Sequence, residues 1–192
     1  MTETKRIYLD YAATAPMLDV AKKACAEGFE HWANPSSPHG DGRAAQAMLE
    51  NARRRFKTAL DWDGDVIFTS GASEAVQIAL TKSKPAIQYV SPVEHDVVLR
   101  FARNAKPIPV DMNGLVVPMN LNHLLKAAEE PALVAIQSVN NETGVIQDLD
   151  ALAKVTRDRG CYLMADCSQS IGKMPLPDAD LIIVAGHKFG GP

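Results

Sequence analysis

Short apolar runs alternate along this chain with longer stretches of helical spacing. The runs fall at 66–69, 86–90, 107–110, 133–138, 161–165 and 181–184. Near-continuous apolar character bounded by turn residues predicts buried strands. Between them, helical spacing predicts helices over 18–32, 42–60, 73–80, 94–104, 121–130 and 148–159, the last closing at Gly160. In the second of these, Ala45, Met48, Leu49, Ala52 and Phe56 share one face. Apolar strands separated by helices describe an α/β fold: a mostly parallel sheet with helices on both faces.

In such sheets, ligands sit outside the carboxyl ends of the strands. The polar residues that stand out fall there. Ser73 follows the first predicted strand, His95 the second, Asn141 the fourth, Asp166 the fifth and Lys188 the last. Each has a bland explanation. Ser70-Gly71-Ala72-Ser73 reads equally as a helix cap, Asn140-Asn141-Glu142-Thr143-Gly144 as a turn, Asp166 as a capping carboxylate and His95 as a helix-start histidine. Together they describe a site. A glycine turn opening a helix favours an anion. A buried carboxylate at 166 requires a cation or several donors. A lysine held at the end of a buried strand is placed to become a nucleophilic amine, as in a Schiff base with pyridoxal phosphate.

Composition narrows the partners. The 192 residues are 46% hydrophobic and 22% charged, enough for one globular domain, with a net charge of -3. That charge gives no basic footprint for nucleic acid. No apolar run approaches the ~18 residues of a membrane span, and the polar start Met1-Thr2-Glu3-Thr4-Lys5-Arg6 resembles no secretory leader. A cytoplasmic protein is the expectation. Cys25, Cys161 and Cys167 form no C-x-x-C pair and no zinc-ligand spacing, so no metal is expected. Cys25 and Cys161 read as small buried hydrophobes, and Cys167 as packing beside Asp166.

Further motifs run through the chain: Tyr8-Leu9-Asp10-Tyr11-Ala12-Ala13-Thr14, Asn34-Pro35-Ser36-Ser37 with His39, Phe68-Thr69-Ser70-Gly71-Ala72-Ser73-Glu74, Glu94-His95, Asp166-Cys167-Ser168-Gln169-Ser170 and His187-Lys188. With these, the chain from Ile7 to Pro192 resembles the class V, fold-type-I pyridoxal phosphate enzymes, and within them the cysteine desulfurases. The resemblance implies the large domain of such transferases, truncated, over 16–192, with residues 1–15 as an N-terminal segment on the active-site side. It implies pyridoxal 5'-phosphate as cofactor and L-cysteine as substrate. It also implies a homodimer and a sulfur-acceptor or iron–sulfur scaffold protein as partners.

Roles follow from the resemblance position by position. Lys188 would bind the cofactor covalently and move protons at the substrate α-carbon. Asp166 would pair with the pyridinium nitrogen, Asn141 and Gln169 would bond the ring hydroxyl, and His95 would stack on the ring and act in catalysis. Ala72, Ser73 and His187 would hold the phosphate. Ala185 stands where the family has a phosphate-binding serine, and Cys167 replaces a smaller residue. None of the three cysteines matches the family's nucleophilic loop, so the expectation is a fragment inactive on its own. Another class V enzyme (an aminotransferase, a kynureninase-like hydrolase or a selenocysteine lyase) and a non-catalytic interaction module remain open alternatives.

Overall fold

The structure, a computed structural model, describes residues 7–192; the polar start at 1–6 lies outside them. Five strands form one sheet: β1 (Ile87–Val90), β2 (Lys106–Pro107), β3 (Ala132–Gln137), β4 (Tyr162–Asp166) and β5 (Leu181–Ile183). They lie in the order β2-β1-β3-β4-β5, and every pairing is parallel. The helices are α1 (Asp19–Glu30), α2 (Gly40–Leu60), α3 (Ala72–Lys82), α4 (Asp96–Phe101), α5 (Pro118–Lys126) and α6 (Leu149–Asp158), and a 3-10 turn spans Gly186–Lys188.

The period of two along the central strands divides the core. Ala132, Val134 and Ile136 of β3, with Leu163 and Ala165 of β4, face α5 and α6, meeting Leu121, Leu125 and Leu152. Leu133, Ala135 and Met164 face the other way, onto Val76 and Leu80 of α3 and Val97 and Val98 of α4. All of β3 is buried, as a strand covered on both faces must be. The stop at Gly160 holds: its φ of 65° is left-handed, and its N–H reaches the Arg157 carbonyl at 2.9 Å.

Three expectations need correction. Residues 66–69 form no strand, because nothing among the described residues pairs with them, and Ile67 is 75% exposed. They make one wall of an apolar groove of about 360 Å³ whose other wall is 181–184, with α3 at its floor. β5 itself pairs only with β4. The strand over 107–110 shrinks to Lys106–Pro107 plus an isolated antiparallel bridge between Val110 and Val116. The helix over 94–104 contracts to α4, since Glu94 turns inward and His95 caps it: His95 Nδ1 accepts the Val97 N–H at 3.2 Å.

The first two helices are also less covered than their spacing suggests. α1 buries no residue and α2 only Gly42. Met48 on the apolar face of α2 is 43% exposed, and Cys25 is half-buried rather than buried.

Candidate active site

The order β2-β1-β3 reverses direction between β1 and β3, and a crevice opens there outside the carboxyl ends of the strands. A cavity of about 630 Å³ occupies it. All eight residues singled out from the sequence line this cavity: Ala72 and Ser73 from the start of α3, His95 after β1, Asn141 after β3, Asp166 and Gln169 at the end of β4, and His187 and Lys188 in the 3-10 turn after β5.

Each side chain has a local cause for its position. α3 begins at Gly71 with no side-chain cap. Glu74 instead reaches back to accept the Ser70 N–H at 2.6 Å, and that N–H holds its carboxyl below the usual carboxylate range. The first N–H groups of α3 are therefore left for an anion. An added Cβ at Gly71 would meet no protein atom within 4 Å, so the glycine widens the cavity.

Asp166 is 7% exposed and closes β4. One of its oxygens accepts the Ser168 N–H at 2.9 Å, and it forms no ion pair among the described residues. A buried carboxylate in that condition is poised for a cation. Ser168 lines the same cavity, and its hydroxyl is buried without a partner.

The N-terminal segment closes one side. Gln169 Nε2 donates to the Ala12 carbonyl at 2.8 Å, and Ala15 N–H donates to the His187 carbonyl at 2.7 Å. His187 Nδ1 lies 3.1 Å from the Thr14 hydroxyl. Asn141 Nδ2 donates to Glu142 at 2.7 Å, so one amide hydrogen is spent within the turn. Lys188 is half-buried on the cavity wall.

The sequence reading missed Gln137, Ser168, Asp10 and Ala12, which also line the cavity. Gln137 had a signal: an amide within an apolar strand demands partners. Asp10, Ala12 and Ser168 stand within motifs that carry the resemblance, which already sets residues 1–15 on the active-site side; only their individual contacts depend on tertiary folding. Ala185, in place of a phosphate-binding serine, is 1% exposed and offers no hydroxyl.

Comparison with known proteins finds similar chains and folds. The aminotransferase class-V family model covers residues 7–192. The chain is 32% identical to the cysteine desulfurase IscS of Dictyoglomus turgidum over 209 residues, covering 98% of this chain and 52% of that protein. It is 33% identical to the mitochondrial cysteine desulfurase of Drosophila melanogaster, over 100% of this chain and 45% of the other. The solved NifS-like protein from Rickettsia africae superposes with a TM-score of 0.87 at 30% identity, over 97% of this chain and 55% of that one. The chain thus spans about half the length of the curated relatives it matches. With the family model covering nearly every residue and the parallel sheet matching that of a NifS-like protein, the chain belongs to the aminotransferase class-V family.

Proposed function

We propose that this chain is the pyridoxal 5'-phosphate-binding half of a cysteine desulfurase acting on L-cysteine. One observation carries the reading: a single cavity joins an uncapped helix start to a buried carboxylate that has no cation. A molecule with a phosphate at one end and a protonated ring nitrogen at the other suits both. The unpartnered Ser168 hydroxyl on the same wall fits a polar ligand.

In this reading Ala72, Ser73 and His187 hold the phosphate, with Ala185 contributing no hydroxyl. Asp166 keeps the proton on the ring nitrogen. Asn141 and Gln169 orient the ring through its hydroxyl, and His95 covers its face. Bound there, the cofactor supplies an electron sink for the substrate α-carbon. Lys188 would hold the cofactor through Nζ and, once substrate has displaced it, would move the proton at that carbon. We assign the N-terminal segment, described from residue 7 to 15, to the active-site side, and 16–192 to the cofactor domain.

Desulfuration converts cysteine to alanine while its sulfur passes to a thiol as a persulfide. Cys161 and Cys167 are buried, and Cys25 lies on α1, outside the cavity lining. The accepting thiol is therefore none of these three, and turnover is a property of the longer, relative-sized protein. We assign to that protein a homodimeric state, a cytoplasmic setting and a sulfur-acceptor or iron–sulfur scaffold partner. The desulfurase names of the relatives support L-cysteine as the substrate.

The test is borohydride reduction of the chain mixed with pyridoxal 5'-phosphate, followed by peptide mass spectrometry. A reduced adduct on the Lys188 peptide, absent from Lys188→Ala, is expected. An adduct scattered over surface lysines, or equal in the variant, overturns the reading.

A further inference from the structure

Glu94 is a buried carboxylate with no role in the site as assigned. It is 6% exposed, and it precedes His95 in the segment leaving β1. Its Oε1 accepts the N–H of Gln137, the last residue of β3, at 2.8 Å; Oε2 has no partner. The neighbouring Val93 carbonyl accepts from Gln137 Nε2 and, at 2.9 Å, from Asn140 Nδ2. Three hydrogen bonds thus latch the His95 turn to the end of β3. Gln137 is in turn the register partner of Asp166 across β3 and β4. Glu94 therefore joins the turn that presents His95 to the strand end beside Asp166.

Ionised, this carboxylate would have one hydrogen bond and no cation. It forms no ion pair among the described residues. Asp166, facing it from β4, is a like charge; His95 is the titratable group of its own turn; α3 and α4 bring no cation into contact with it. Burial pushes the Glu94 carboxyl well above the usual carboxylate range, with the charge of Asp166 acting in the same direction, while the Gln137 N–H pulls it back.

We propose that Glu94 is a positioning residue of the cofactor site, a neutral carboxylic acid that latches the His95 turn to β3 and adds no second negative charge beside Asp166. The positioning role rests on the cofactor reading above, whereas the neutral state of Glu94 does not.

Two measurements on this chain test the two parts separately. The first is thermal unfolding of cofactor-free wild type and Glu94→Gln between pH 5 and pH 8. A carboxyl raised in the folded state gives its full stabilisation below its unfolded value of about 4.3 and loses it as pH rises through the folded one. The glutamine variant lacks that loss, so its midpoint should gain on the wild type as pH rises. A gap that stays constant, or that grows in favour of wild type, overturns the neutral acid.

The second measurement is the dissociation constant of pyridoxal 5'-phosphate at fixed pH. Glu94→Gln, which keeps the acceptor for Gln137, should stay within about twofold of wild type, and Glu94→Ala should weaken binding about tenfold, the scale of one lost hydrogen bond. Equal loss in both variants, or none in the alanine, overturns the positioning role. Should the alanine variant not fold, Glu94→Asp withdraws the carboxyl from Gln137 and carries the same expectations. Wild type that binds no cofactor overturns the functional reading and the positioning role with it; the pH series still decides the charge of Glu94.

Discussion

Asp166 illustrates how a single side chain trades stability for binding. It closes a strand whose Leu163, Met164 and Ala165 are buried and apolar, and it has no counter-charge. Asp166→Asn keeps an oxygen for the Ser168 N–H and removes the charge. Cofactor affinity should fall at least tenfold while the cofactor-free chain unfolds at the same or a higher temperature, by about 1 kcal/mol, because an unpaired buried charge costs stability. Titration of both proteins with pyridoxal 5'-phosphate and matched melting curves measure the two effects. Cys167, beside it, is fully buried, and burial pushes its thiol up to about 11. At pH 8 roughly one molecule in a thousand then carries the thiolate. Alkylation followed by mass spectrometry should label half-exposed Cys25 first and Cys167 only after denaturation.

At the scale of elements, what could be read in advance depended on whether the deciding contact was local. β3 and β4 were legible because burial on both faces leaves an unbroken apolar run. The strand-end rule then placed Ser73, His95, Asn141, Asp166 and Lys188 at one edge, while Ala72, Gln169 and His187 came from the family resemblance. Residues 66–69 carry the same pattern but no neighbour, and a strand exists only with a partner. The start of α4 depended on Glu94 finding Gln137, 43 residues away. α2 carries a tight local contact at its start. A Cβ on Gly42 would collide with the backbone carbonyl of Ser37, so the 34–39 turn packs directly on the helix there. Gly42→Ala should cost about 1–3 kcal/mol in urea unfolding and expose that turn to limited proteolysis. Wild-type stability in the variant would show that the turn yields at no cost.

At the scale of the whole molecule, the apolar surface is uneven. Ile7, Leu9, Phe29 and Trp32 are between 79% and 87% exposed, the last two at the end of an α1 that buries nothing. Exposed apolar surface of this kind favours association. In a Trp62→Phe background, Trp32 emission should shift to shorter wavelength as concentration rises, in step with sedimentation to larger species. An unshifted spectrum across a hundredfold concentration range would leave α1 free in solution.

The sheet also has a weak side. β3 has a strand on each flank, whereas β5 has β4 on one and the apolar groove on the other. Deuterium uptake should therefore run in order, slowest in β3 and fastest in β5 and residues 66–69. The turn bearing Lys188 leaves directly from β5, so the fold would begin to open beside Lys188. Any segment that fills the groove would slow exchange there and, through β5, steady the lysine.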